Sequence, residues 1–135
     1  MKQSRFRYLG LFDLLLVAVF VAAFGTASFA ASVAIPAMAL AGLFAVLAGS
    51  VAELSLGSVT VTWRHFVAAT YALFALALPG SYLPDVVAGT AGRAELALFA
   101  VTSVGALTLL FFGYDVARGG DHFEVEPDVD TVVGR

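Results

Sequence analysis

The sequence predicts an all-α integral membrane protein with four transmembrane helices in a compact bundle, and three observations lead to this prediction. Apolar residues make up 61% of the chain and charged residues only 13%, whereas soluble domains are nearer half apolar and a quarter charged. Long segments contain no charged side chain. The few basic residues flank these segments mostly on one side, as the positive-inside rule expects of membrane spans.

The uncharged segments give the number of predicted spans. Residues 14–52, 65–84 and 96–114 contain no Asp, Glu, Lys or Arg. One crossing needs about 20 residues, so the first segment has room for two crossings and the others for one each. We predict spans at about residues 8–24, 33–53, 63–78 and 94–114. Turn-forming residues 25–28 separate the first two spans, and Pro36 falls in a first helical turn, where proline is tolerated. Pro79-Gly80 is expected to end the third span early.

A cleaved signal peptide is the alternative interpretation of the first 30 residues. The apolar residues 14–24 are followed by small residues at 28–30, which fit a cleavage site, and are preceded by three basic residues, Lys2, Arg5 and Arg7. Asp13 at the edge of the apolar stretch argues against cleavage. We therefore expect the segment to be retained as the first span.

The distribution of basic residues predicts a protein of the cell membrane with both termini in the cytoplasm. With the N-terminus inside, the outer side carries only Arg93, and the inner side carries all the others: Lys2, Arg5, Arg7, Arg64, Arg118 and Arg135. Positive charge is retained on the cytoplasmic side of membrane proteins. Three aromatic residues that suit the headgroup region, Tyr8, Trp63 and Tyr114, fall at the same inner boundary.

Two cytoplasmic segments are expected to be exposed to water. Apolar and polar residues alternate on both sides of Gly57-Ser58, which suits a type II′ turn and predicts a short β-hairpin over residues 54–63 at the membrane interface. Residues 115–135 form an acidic tail, predicted to be flexible. The alternative is that residues 122–126, which also alternate, add a third strand. The acidic tail also argues against nucleic acid as a partner.

Four polar residues are candidates for a functional or structural role: Asp13, Glu53, Arg64 and His65. Asp13 is the ionisable residue inside a predicted span, where a carboxylate is costly and often functional. It could couple transport to protons or cations. We favour a residue that caps the inner interface and holds helices together, placed where it could reach water or pair with Arg64 or His65. We also expect a Glu53–Arg64 pair to connect the second and third helices.

Small residues recur at every fourth position of the second predicted span: Ala37, Ala41, Ala45 and Gly49. Such a row lets a neighbouring helix approach closely in a membrane, where lipid gives no hydrophobic drive for association. We interpret it as an internal packing surface rather than a dimer face.

The absence of cysteine and of known catalytic motifs limits the functional classes that the sequence supports. It has no cysteine and no catalytic, nucleotide-binding or zinc-protease motif. A metal or haem site at His65 would need His122 from the tail, so no cofactor and no enzymatic activity are predicted. We expect a non-catalytic subunit or accessory protein of a membrane complex, in contact with the lipid bilayer and with other membrane subunits or copies of itself.

Two other functional classes are compatible with the sequence, a transporter or channel unit and a membrane enzyme. A small oligomeric transporter or channel unit would use Asp13 as its coupling carboxylate. The size and the placement of a carboxylate in the first helix are loosely similar to the small multidrug-resistance transporters, which use a glutamate instead. A membrane enzyme is the least favoured class. One lysine against six arginines and the acidic tail resemble the composition of halophilic archaeal proteins.

Overall fold

The computed structural model describes residues 1–120 and 122–134, in which helices predominate and a small three-stranded sheet is present. Asp121 of the acidic tail and Arg135, one of the basic residues of the predicted inner side, lie outside the described residues. The helices are α1 (Arg5–Phe24), α2 (Ser28–Ala31), α3 (Ala34–Ala48), α4 (Trp63–Gly80), α5 (Leu83–Ala88) and α6 (Arg93–Arg118). The strands are β1 (Glu53–Leu56), β2 (Val59–Thr62) and β3 (Val132–Val133).

The four longer helices pack in the order α1, α3, α4, α6, each against the next. The end at which α1 begins, α3 ends, α4 begins and α6 ends also carries the sheet, and we call it the hairpin end. The opposite end is the far end. The larger buried apolar cluster lies at the hairpin end and comprises Phe6, Ala48, Trp63, Phe66, Val67, Val116 and Val125. The far end has a smaller cluster, Ala34, Ala37 and Ala77.

The prediction of four transmembrane helices is wrong. Among the described residues, only α1 and α6 are long and apolar enough to cross a membrane. A buried core helix or a signal sequence can have the same length and composition. With 15 residues, α3 is about 22 Å long, shorter than the roughly 30 Å hydrocarbon core. The helix α4 includes Arg64, His65 and Pro79, which lower its hydropathy.

The error has a local cause at the end of α3. The predicted span continued to Glu53 because the sequence contains no charge before that residue, but α3 ends at Ala48. The chain then turns at Gly49-Ser50, and Glu53 begins β1. Absence of charge therefore did not distinguish a helix from a turn and a strand.

Other boundaries differ by smaller amounts. The first helix begins at Arg5, and α4 continues through Pro79 to Gly80 instead of ending early. The last helix extends to Arg118 and is terminated by Gly119 in the left-handed conformation (φ 70°), a common end for helices. The first residues of the predicted tail are therefore helical.

The predicted hairpin is present, although it begins one residue earlier. Strands β1 and β2 pair antiparallel, with Leu56 opposite Val59. Gly57 has φ 63° and every described residue with positive φ is a glycine, so Ser58 has negative φ, as in a type II′ turn. The third strand comes from Val132–Val133, which pairs parallel with β1, and not from residues 122–126.

Candidate functional site

Asp13 lies between α1 and α3, where two glycines bring the helix backbones together. The Asp13 side chain is 4% exposed, and its Oδ2 would be 2.9 Å from a Cβ placed on Gly42. One turn earlier, a Cβ on Gly10 would be 2.6 Å from the backbone N of Val46 and closer still to the carbonyl of Gly42. A side chain at Gly10 would press on backbone atoms of α3, whereas one at Gly42 would press on the Asp13 and Leu14 side chains. We call Gly10, Asp13, Gly42 and Val46 the α1–α3 seam.

The buried carboxylate of Asp13 does not have the partners that the sequence suggested. Within the described part of the chain, its Oδ2 has no hydrogen-bond partner. Arg64 and His65, the two expected partners, make their contacts elsewhere. A buried polar atom without a partner is costly and uncommon. Asp13 is therefore sealed by close helix packing rather than neutralised by an ion pair.

The predicted packing row on α3 is buried along its whole length: Ala37, Ala41, Ala45 and Gly49. Its members contact two different helices. Ala37 packs with Ala77 of α4, and the carbonyl of Ala41 accepts a hydrogen bond from the Thr70 hydroxyl of α4 at 3.4 Å. Gly49 instead lies against the Arg7 backbone of α1. Small residues thus let α3 sit between α1 and α4.

The expected Glu53–Arg64 pair is absent. In residues 1–120 and 122–134, the close contact between a basic and an acidic side chain is that of the His122 Nδ1 with the Asp115 Oδ1, at 3.3 Å. The Arg64 guanidinium donates to the Val116 carbonyl at 3.4 Å, near the C-terminus of α6, where unpaired carbonyls favour a cation. Arg64 therefore connects α4 to α6.

His65 is exposed and makes a local contact. Its Nδ1 lies 2.9 Å from the Thr62 hydroxyl oxygen, so the two side chains bond across the junction between β2 and α4. His122, the other histidine of the chain, is at Asp115. The described residues include no group of three His, Cys, Asp or Glu side chains placed to hold a metal ion.

Gln3 is a structural residue that the sequence analysis missed. It is fully buried (0% exposed), and its Nε2 donates to the carbonyls of Ala48 at 2.8 Å and Val51 at 3.2 Å. These contacts satisfy carbonyls that the end of α3 leaves without intrahelical partners. A glutamine just before an apolar helix gives no sequence signal for this role, since its partners are some 45 residues away.

The two ends of the described chain are joined by backbone and side-chain hydrogen bonds, which we call the terminal clasp (residues 1–4 with 124–128). The Gln3 N–H donates to the Glu126 carbonyl at 2.9 Å, and the Glu126 N–H donates to the Met1 carbonyl at 2.9 Å. The Asp128 carboxylate accepts from the Ser4 N–H at 2.8 Å and the Ser4 hydroxyl at 2.7 Å. These two donors, the hydroxyl first, hold the pKa of the Asp128 carboxyl below its usual range.

Asp115 directs the chain from α6 back toward the clasp. Its nearly buried carboxylate accepts a hydrogen bond from the Phe123 N–H at 3.2 Å and faces His122. The backbone carbonyl of Asp115 also accepts from the Gly120 N–H at 2.9 Å. These contacts hold residues 120, 122 and 123 against the end of α6.

A large cavity is at the far end, away from Asp13. It is an open groove of about 950 Å³ between the far ends of the helices, mostly apolar, with a lining that includes Phe24, Ile35, Met38, Phe74 and Leu78. A second cavity of about 430 Å³ lies between Trp63, Arg64 and the tail, and a third of about 320 Å³ between α1 and α3 is apolar. Asp13 lines none of these three cavities.

The chain belongs to the DUF7994 family, a family of unknown function, whose model matches residues 1–129. No curated protein and no solved structure matches it. The family description assigns no activity, so the geometry of the chain is the basis for any functional proposal.

Proposed function

We propose that the protein is a non-catalytic subunit or accessory protein of a membrane complex, held in the bilayer through α1 and α6. The environment of Asp13 carries this proposal. A carboxylate that couples transport must exchange protons or cations with water, and such residues face a water-filled path. Asp13 is 4% exposed and lies against the Gly42 backbone. A residue sealed in this way suits a structural role better than a transport cycle.

The outward faces of α1 and α6 support the membrane part of the proposal. Large apolar side chains are exposed along both helices, among them Phe12 at 59% and Val101 at 69%. Soluble monomers rarely expose contiguous apolar patches of more than a few hundred Å². Lipid chains, or helices of other subunits or of a second copy, would cover these faces.

We further propose that the hairpin end faces the cytoplasm. The start of α1 carries Lys2, Arg5 and Arg7, and the end of α6 carries Arg118, whereas the far end carries Arg93. This asymmetry follows the positive-inside rule. With α1 and α6 as the two crossings, both termini lie on the same side, which agrees with their contact in the terminal clasp.

A small oligomeric transporter or channel unit is the second candidate. The observation that favours it is the Oδ2 atom of Asp13, which lacks a hydrogen-bond partner among the described residues. An opening of the α1–α3 seam would expose this oxygen to a proton or cation. The two candidates predict different results when the charge at Asp13 is removed.

The test is Asp13→Asn in a complementation assay at normal expression level. Asparagine has nearly the same shape, so an accessory subunit should fold, keep the same co-purifying membrane subunits in mild detergent and retain its cellular role. A transporter that depends on Asp13 would lose activity completely while it still folds. Asp85→Asn in the exposed helix α5 is the matched control. Complete loss of function in Asp13→Asn, but not in Asp85→Asn, would reject the accessory-subunit proposal.

A further inference from the structure

Three arginine–aromatic pairs lie at the hairpin end. The guanidinium carbon of Arg7 is 5.0 Å from the centre of the Tyr8 ring, that of Arg64 is 5.1 Å from the Trp63 ring, and that of Arg118 is 5.2 Å from the Tyr114 ring. All three distances are within cation–π range. The pairs occur where α1 begins, α4 begins and α6 ends, and therefore at one level of the structure.

Two of these pairs are exposed, one on each helix that could span the membrane. Arg7 and Tyr8 are exposed near the start of α1, and Tyr114 and Arg118 near the end of α6. Each arginine also donates a hydrogen bond to the hydroxyl of its tyrosine. The third pair is different, because Trp63 is buried and Arg64 donates to α6. Arg64 thus serves the fold, whereas the charges of the other two face outward.

In the described part of the chain, no carboxylate lies within ion-pair distance of the exposed arginines; the close contact between a basic and an acidic side chain there is that of His122 with Asp115. Two acidic residues of the tail region are already engaged inside the protein. Asp115 is held by His122 and Phe123, and Asp128 by Ser4, with Lys2 nearby. Arg7 and Arg118 are exposed, and neither is within ion-pair distance of an acidic residue of the described chain.

We propose that the Arg7–Tyr8 and Tyr114–Arg118 pairs each bind the phosphate of an anionic phospholipid headgroup. A guanidinium offers a planar set of donors that matches phosphate, and tyrosine suits the headgroup region because one end of it is apolar and the other polar. Exposed apolar side chains, Leu9 and Phe12 on α1 and Leu110 and Phe111 on α6, lie beside the pairs, where the acyl chains would be. The inference rests on the membrane location in the proposed function.

The experiment measures lipid preference by native mass spectrometry of the purified full-length chain in detergent, titrated with phosphatidylglycerol or with neutral phosphatidylcholine. We expect wild type to prefer phosphatidylglycerol. R7Q and R118Q should each lower that preference about fivefold, as expected for one basic residue at a lipid surface, and R7Q/R118Q should lower it by the product. The preference should also weaken as salt is raised.

The control is R93Q, which removes the basic residue at the far end and should leave the preference unchanged. Equal preference in wild type and R7Q/R118Q, or an equal loss in R93Q, would overturn the proposal. The single variants test each site even where the double variant fails to fold. Vesicle flotation distinguishes the failure of this proposal from the failure of the proposed function. A protein that floats with vesicles but shows no lipid preference contradicts only the headgroup sites. A protein that does not float with any vesicle contradicts the membrane location.

Discussion

The hairpin end and the far end of the helices differ in their side-chain contacts. At the hairpin end, directional hydrogen bonds connect elements far apart in sequence: Gln3 to the end of α3, Arg64 to the end of α6 and Ser4 to Asp128. At the far end, residues of α2 and the ends of the longer helices line an apolar groove of about 950 Å³. Hydrogen bonds fix distance and angle, whereas apolar burial is non-directional. The hairpin end therefore combines the larger apolar cluster with directional bonds between distant parts of the chain.

The far-end groove and the hairpin end also differ in their polar side chains. The far-end groove is within the usual size range of ligand pockets, about 300–1,000 Å³, yet its lining contains no Asp, Glu, Lys, Arg or His. The long-range side-chain hydrogen bonds of Gln3, Arg64 and Ser4 are instead at the hairpin end.

The largest effect is expected where α1 meets α3, so Gly10→Ala tests the seam directly. The new Cβ would press on backbone atoms of Gly42 and Val46, which cannot move without separating the helices. Overpacking of this kind costs about 1–3 kcal/mol or more, and the midpoint of thermal unfolding in detergent should fall clearly.

Gly105→Ala is the matched control for the seam. Gly105 lies within α6, and a Cβ placed there would meet nothing within 4 Å. Alanine should stabilise that helix by about 0.5–1 kcal/mol, since glycine disfavours helix interiors. Equal unfolding midpoints for Gly10→Ala and Gly105→Ala would contradict the close approach of α1 and α3.

A smaller loss is expected when the hydrogen bonds at the end of α3 are removed. Gln3→Ala leaves the Ala48 and Val51 carbonyls without their side-chain donor, at a cost of about 1–3 kcal/mol for buried groups. Thr102→Ala toward the far end is the comparison, because the Thr102 hydroxyl donates only to carbonyls of its own helix. If both variants unfold at the wild-type temperature, the hydrogen bonds of Gln3 do not stabilise the hairpin end.

Local features of the fold could be predicted from the sequence, whereas features that depend on helix length could not. The hairpin was identified correctly because turn chemistry at Gly57-Ser58 acts over a few residues. The apolar segments of α1 and α6 were also placed within a few residues of their ends. The number of spans was wrong for two reasons. Residues 49–52 carry no charge but lie beyond the end of α3, so the uncharged stretch was longer than that helix. In α4, Arg64, His65 and Pro79 lower the hydropathy.

The candidate site likewise has a part that the sequence predicts and a part that it does not. Asp13 could be identified from the sequence because an ionisable residue inside an apolar stretch is unusual. The surroundings of Asp13 could not be predicted, since they depend on how Gly10 and Gly42 bring two helices together. Gln3 and Asp128 were missed for a related reason. Their partners lie tens of residues or more than a hundred residues away, and no local pattern encodes such contacts.

The smallest effect concerns Asp128, whose carboxylate is exposed and contributes to the clasp only while ionised. Hydrogen bonds from the Ser4 hydroxyl and N–H lower its pKa in the folded protein. Its contribution is therefore complete above the unfolded-state value of about 3.9 and is lost as the pH falls through the lower folded-state pKa. The Ser4 amide resonance, followed by NMR from pH 6 downward, should shift in this acidic window. Asp128→Asn should abolish that shift, because asparagine does not titrate, whereas Asp130→Asn should preserve it. An unchanged Ser4 titration in Asp128→Asn would mean that another group, and not the Asp128 carboxylate, controls this part of the clasp.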